Sequence, residues 1–240
     1  MIETKALTKK FGKVKALDAV DIIIDKPGVV AVLGPNGSGK TTLIKTILGM
    51  VLPTSGDVLF QGASIPGKWE YRDRLDYLPQ IARFPDNLTV RELINMIFDI
   101  RGRAPVGEDD RLIKLFGLVP HLNKKLGNLS GGTRQKVNIV LAFSFDNPLM
   151  VLDEPTAGLD PVSLVSLKEL IDEQKKMGKT VLVTTHIMSL VEDIADDIIF
   201  LLEGKVCFKG PLWAIKERGG DKNLEKAIAN LIKAAHVENT

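Results

Sequence analysis

Residues 34–42 read Gly34-Pro35-Asn36-Gly37-Ser38-Gly39-Lys40-Thr41-Thr42. Gly34, Gly39, Lys40 and Thr41 satisfy the pattern G-x-x-x-x-G-K-[ST]. The apolar run Val29-Val30-Ala31-Val32-Leu33 precedes them and has the character of a buried parallel strand. Leu43, Ile44, Ile47 and Leu48 follow at helical spacing. Strand, glycine-rich loop and helix is the setting in which that pattern cradles phosphate. Glycines let the backbone curl until successive N–H groups converge on one anion. The helix N-terminus adds its partial positive charge at the same place. In such a loop the lysine reaches the β/γ-phosphates and the hydroxyl of Thr41 ligates Mg²⁺. A chance glycine-rich turn would not carry the flanking strand and helix, so the stretch predicts nucleotide binding.

The chain has 240 residues, which at about 150 residues per domain allows one or two domains. Hydrophobic residues make up 45%, enough for a sizeable core. The net charge is +2, with lysine and arginine scattered rather than striped, so no nucleic-acid partner is expected. A single cysteine, Cys207, forbids an internal disulfide and fits a reducing compartment. The opening MIETKALTKK has no apolar signal core. No apolar run approaches the roughly 18 residues of a membrane span. A soluble chain is expected, held at a membrane only through a partner.

Outward from the phosphate loop, residues 1–27 read as short strands with turns. Val20, Ile22 and Ile24 alternate along one of them. Phe11-Gly12 sits in a lysine-rich turn, where Phe11 is either an adenine-stacking ring or a half-buried loop aromatic. Asp57-Val58-Leu59-Phe60 and Leu75-Asp76-Tyr77-Leu78 are strands, the second stopped by Pro79 with Gln80 just beyond. Residues 84–145 change to helix. Thr89 and Glu92 form a capping box for a helix to about residue 100. A second helix is predicted from Asp109 to Phe116, closed by Gly117, and a third over 133–143. The α/β alternation then returns, with strands over 149–152 and 181–183 and helices over 161–177 and 188–195. A hairpin crosses Glu203-Gly204. A terminal helix carries an apolar stripe of Leu224, Ala227, Ile228, Leu231, Ile232 and Ala235, which packs on its own domain or serves a partner.

Three polar endings follow buried strands where a parallel sheet presents groups to a ligand crevice: Gln80, the pair Asp153-Glu154, and His186. Asp153, after four apolar residues, can hold Mg²⁺ directly or through water. Glu154 is free to approach a γ-phosphate as general base or water positioner. The bland alternative is a capping or salt-bridged pair. Ser130-Gly131-Gly132 can bind an anion at a helix start or can simply start the helix.

Taken together in this order, the set resembles the nucleotide-binding subunit of ABC transporters over residues 2–212. In that resemblance Phe11 stacks on adenine and residues 34–42 are Walker A. Gln80 is the Q-loop glutamine that senses Mg²⁺ and the γ-phosphate. Leu129-Ser130-Gly131-Gly132 is the signature motif. Residues 149–153 are Walker B, Glu154 is the catalytic glutamate, Gly158-Leu159-Asp160 is the D-loop and His186 is the switch histidine. Two departures stand out: Thr133 follows the signature where glutamine is common, and Phe11 replaces the commoner tyrosine.

The resemblance implies a P-loop NTPase core of mostly parallel sheet, an N-terminal antiparallel β subdomain and a helical subdomain over residues 84–145. The cassette would span 1–212, with a short helical tail over 213–240. It implies ATP and Mg²⁺ as ligands, with the ion on Thr41, Gln80 and Asp153. Catalysis would fall to Glu154, His186 and Gln80. Two copies would close head to tail on two ATP molecules, with Ser130, Gly131 and Gly132 facing the nucleotide of the other copy and Asp160 counted among the nucleotide-binding residues. The chain would lie on the cytoplasmic face of a membrane, beside a separate multi-span subunit. Residues 77–93 are similar to ABC-2-type, exporter-like ATPases, including those serving copper-site maturation of nitrous-oxide reductase. A soluble ABC-type ATPase of an assembly scaffold, such as one for iron–sulfur clusters, is the competing reading.

Overall fold

The computed structural model describes residues 1–102, 104 and 110–237. β1 (Ile2–Phe11) and β2 (Val14–Ile24) form a hairpin, longer than the short strands predicted. β3 (Gly28–Leu33) runs into the phosphate loop and α1 (Lys40–Ile47). β4 (Ser55–Phe60), β5 (Ala63–Ser64) and β6 (Leu75–Leu78) follow. Three helices come next: α2 (Val90–Ile100), α3 (Arg111–Leu115) and α4 (Gly131–Phe143). β7 (Leu149–Asp153), α5 (Pro161–Lys176), β8 (Thr180–Thr184) and α6 (Met188–Ile194) restore the alternation. β9 (Asp197–Leu202), β10 (Lys205–Pro211), α7 (Leu212–Gly219) and α8 (Leu224–Val237) complete the chain.

One sheet is antiparallel, in the order β2-β1-β4-β5. The other has six strands in the order β10-β9-β3-β8-β7-β6, parallel throughout except between β9 and β10. Successive strand residues point to opposite faces, and the core divides accordingly. Val29, Ala31 and Leu33 join a cluster with Met150, Leu152, Val181, Val183 and Phe200. Val30 and Val32 join Leu149, Val151, Leu182 and Leu201 on the other side. Helices α2 to α8 cover the first face, and α1 with the antiparallel sheet covers the second. Burial on both faces explains why these strands read as continuous apolar runs.

Local signals account for several boundaries. Thr89 accepts from the Glu92 N–H while the Glu92 carboxylate receives the Thr89 N–H, so the capping box forms. The second predicted helix starts at Asp109, which lies outside the described residues. The helix described there is capped by Asp110, whose carboxylate accepts from the N–H groups of Leu112 and Ile113. Gly117 follows its end at φ 63°. On α8, Leu224 and Ile228 are buried in the shared core, Ala227 is buried, and Leu231 and Ile232 pack against that core; the side chain of Ala235 lies outside the described residues, and the described part of the stripe packs on its own chain. The short α7, a separate element within the tail expected to be helical, lies against α8. A Cβ on Gly219 would meet the Ala227 carbonyl oxygen at 2.4 Å.

Asp76 of β6 is 2% exposed, with Asn147 Nδ2 donating to its Oδ1 at 2.7 Å. Among the described residues its Oδ2 has no hydrogen-bond partner. Burial raises its pKa above the ordinary 3.8, against smaller opposing pulls led by Asn147. A carboxyl raised by folding contributes most stability below its unfolded pKa and loses it as pH climbs through the folded pKa. Asp76→Asn is expected to flatten that loss above pH 3.8 and to raise the melting temperature at neutral pH. The gain should be about 2–4 °C for each kcal/mol of desolvation relieved. Parallel melting-temperature profiles for the two proteins would remove Asp76 as the source.

Candidate active site

The C-terminal ends of the parallel strands open onto a cavity of about 410 Å³. Its lining comprises Val14, Ala16, Asn36, Gly37, Ser38, Gly39, Lys40, Thr41, Thr42, Gln80, Asp153, Glu154 and Thr184. The volume falls within the roughly 300–1,000 Å³ of small-molecule sites. β3 delivers the phosphate loop, and β8 lies between β3 and β7 in the sheet. Three neighbouring strand ends therefore converge on one crevice.

The loop conformation depends on glycine at Gly39. It caps α1 at φ 104°, and a Cβ there would stand 2.5 Å from the Ala16 carbonyl oxygen. An α-helix leaves the N–H groups of its first turn without intrahelical acceptors, and here that turn lines the cavity. The Ser38 hydroxyl is buried and has no partner among the described residues. Lys40 Nζ donates to the carbonyls of Gly34 at 2.7 Å and Pro35 at 3.0 Å. Burial lowers the Lys40 pKa, opposed by the nearby Glu154 and Asp153. N–H groups, an orphaned hydroxyl and a cation gathered in a cavity make a polyanion site.

Asp153 ends β7 and is 4% exposed. The parallel register sets it opposite Thr184 of β8, whose Oγ1 donates to Asp153 Oδ1 at 2.5 Å. Glu154 takes φ 48°, a left-handed conformation rare for residues with a side chain and costing on the order of 1–3 kcal/mol. It is held by its N–H, which lies 3.0 Å from the Thr184 carbonyl oxygen and 3.2 Å from Thr184 Oγ1. The Glu154 side chain is largely covered, and its Oε2 lies 2.9 Å from Nδ1 of the exposed His186. The two carboxylates thus differ: Asp153 is clamped by a hydroxyl, while Glu154 has an imidazole for a partner. Among the described residues no three His, Cys, Asp or Glu side chains converge on one point. A cation here has to bring phosphate oxygens with it, which suits Mg²⁺, usually bound through one or two carboxylates plus substrate phosphates. Thr41, Asp153 and Gln80 all line the cavity and can hold it.

The other predicted site residues lie outside this lining. Phe11 is the last residue of β1, half exposed, with Lys9 Nζ 4.9 Å from its ring centroid. It pairs across the hairpin with Val14, which lines the cavity. Ser130 caps α4, accepting from the Thr133 N–H at 3.2 Å, and its Oγ lies 2.8 Å from Thr133 Oγ1. Gly131 and Gly132 open the helix itself. A Cβ on Gly132 would come within 2.5 Å of the Gly158 carbonyl oxygen, so glycine is needed for the two segments to touch. Asp160 caps α5, accepting from the N–H and hydroxyl of Ser163, and pairs with Lys136 Nζ at 2.7 Å. The Lys136 bond, with those from Ser163, holds the Asp160 carboxyl well below the usual carboxylate range.

Three lining residues escaped the sequence reading. Val14 and Ala16 fall there within the short strands and turns of residues 1–27, and Thr184 just past the strand over 181–183. The available signal for Thr184 was its place as a polar residue just past the apolar run over 181–183; that β8 pairs with both β3 and β7 is seen only in the structure.

The family described as ABC transporter matches residues 17–157. Lantibiotic transport ATP-binding protein SrtF of Streptococcus pyogenes is 34% identical over 244 residues, covering 97% of this chain and 97% of its own. A solved structure described as the ATP-binding subunit of an ABC transporter matches with TM-score 0.88 at 32% identity, over 97% of this chain and 99% of its own. A dimeric, post-hydrolysis ATP-binding cassette bound to ADP and Pi matches with TM-score 0.78 at 27% identity, over 88% and 99% of the two chains.

Proposed function

Because the chain belongs to the ABC transporter family, it is an ATP-binding cassette, and we propose that it hydrolyses ATP to drive a separate membrane subunit. The observation that carries the hydrolytic reading is the Glu154–His186 contact at 2.9 Å, at a cavity shared with Lys40 and the phosphate loop. ATP binds with its phosphates on the N–H groups of the loop and on Lys40. Glu154 orients and deprotonates the attacking water, and His186 meets the γ-phosphate while fixing the Glu154 carboxylate. Thr41, Asp153 and Gln80, all on the cavity lining, would hold Mg²⁺ there, and the ion would supply neutralisation of phosphate charge. Phe11 stacks on the adenine from the rim beside Val14.

Ser130, Gly131, Gly132 and Asp160 are outside the cavity of their own chain, which suits a role toward the nucleotide of a second copy. Two copies meet head to tail, ATP draws them closed, and loss of the γ-phosphate lets them open. The dimeric relative bound to ADP and Pi supports that cycle. Residues 1–212 act as the cassette, with 84–145 as its helical arm and 213–240 as a tail, of which α7 and α8 pack back on the cassette.

Among the described residues no helix is long and apolar enough to cross a membrane. In this reading the pore belongs to another polypeptide, with this chain peripheral on the cytoplasmic face. SrtF, similar along its whole length, is a transport protein, which favours this reading over a soluble assembly scaffold. A tagged Glu154→Gln variant, purified from native membranes in mild detergent with Mg-ATP, is expected to bring down a multi-span protein in stoichiometric yield. Recovery only from the soluble fraction, with soluble partners, would overturn the transporter assignment and leave the ATP site standing.

A further inference from the structure

Two buried amides connect α4 to the candidate site. Gln135 is 6% exposed and Asn138 is 4% exposed. Amides at this depth are costly unless bonded. Gln135 Nε2 donates to the Pro155 carbonyl oxygen at 3.0 Å, and Asn138 Nδ2 donates to the Pro79 carbonyl oxygen at 3.0 Å. The Asn138 amide also lies 3.5 Å from Gln135 Oε1, joining the two. Positions three apart share one helix face. Pro155 directly follows Glu154, and Pro79 directly precedes Gln80. A proline has no N–H, so its carbonyl is the one polar backbone group through which either segment can be gripped there.

We propose that Gln135 and Asn138 are positioning residues that set Glu154 and Gln80 as a pair. The proposal rests on the roles given to those two residues above. Glu154 has a left-handed backbone that must be held from outside, and two anchors bracket it. Thr184 receives its N–H, and Gln135 binds the carbonyl of the next residue. The anchor on the Gln80 side comes from the same helix face. Ser130 caps that helix, and the N–H of Arg134, four residues on, bonds the Ser130 carbonyl to close the first turn. A shift of α4 therefore moves the backbone beside Glu154 and the backbone beside Gln80 together. Hydrolysis follows the position of α4, and ATP affinity, which rests on the phosphate loop, does not.

The test replaces the donors while keeping side-chain size. Gln135→Met is expected to lower kcat by roughly 100-fold, the penalty of a misplacement near 1 Å. The KM for ATP should stay within about twofold, as for an interaction made only in the transition state. Asn138→Asp, which turns a donor into an acceptor at equal size, should do the same. The double variant should be no slower than the slower single variant, because the two act as one unit. If Gln135→Met does not fold, Asn138→Asp decides by the same readouts. A lowered melting temperature with native kcat would overturn the proposal and leave the amides as packing. Glu154→Gln is run alongside. Native hydrolysis by that variant would indict the site reading itself, whereas its loss beside an active Gln135→Met would indict only the positioning role.

Discussion

Glu154→Gln is expected to bind ATP normally and to lose hydrolysis by on the order of 10³-fold, within the range for a lost general base. The substitution keeps the shape of the side chain and the backbone anchors on Thr184, so the fold should be undisturbed. Glutamine cannot take a proton from water at neutral pH. It also changes the polarity of the contact that His186 makes across 2.9 Å. Binding should survive because the phosphates rest on the loop and Lys40, and the cation on the neighbouring Asp153. Asp153 has a different environment, fixed by the Thr184 hydroxyl at 2.5 Å. With ATP bound and not consumed, the closed dimer should accumulate. Single-turnover hydrolysis and size-exclusion chromatography in Mg-ATP check both halves. Hydrolysis near the native rate would take the catalytic role from Glu154.

The strands were legible because a parallel sheet buried on both faces turns each strand into a short unbroken apolar run, as in Gly28–Leu33 and Leu149–Asp153. The phosphate loop was legible because its chemistry requires glycine and lysine at fixed spacing. Polar residues just past such runs, Glu154 and His186 among them, stood out against their neighbours. What remained hidden depends on which strands pair. Nothing local in Thr180–Thr184 says that Thr184 will face Asp153; the β7/β8 register decides it. The buried amides of Gln135 and Asn138 look like the polar face of a helix until tertiary packing turns that face inward. Phe11 shows the converse. Its aromatic character drew attention, yet the hairpin register puts Val14 on the cavity and leaves the ring at its edge. Within the tail expected to be helical, α7 has no outline of its own in the sequence because its eight residues bury only Ile215 and Gly219, too few to mark a period.

Two inactive variants, mixed, are expected to regain activity if the copies meet head to tail. Lys40→Met removes the cation that contacts the loop carbonyls and faces Asp153 and Glu154, so its own cavity should no longer hold ATP productively. Ser130→Glu puts a carboxylate at the start of α4, where it would repel the γ-phosphate of the opposite copy. Each variant alone has two broken sites per dimer. In a mixed dimer, one site joins the damaged cavity to the damaged helix start and stays dead. The other joins the intact cavity of the Ser130→Glu chain to the intact helix start of the Lys40→Met chain. Random pairing of equal amounts makes half the dimers mixed, each with one sound site, so the mixture should reach about a quarter of the native rate for independently firing sites. Ser130 lies outside the cavity of its own chain, which is why the repair has to cross between copies. A mixture no more active than its components would mean that each chain completes its own site, and the head-to-tail arrangement would fall with it.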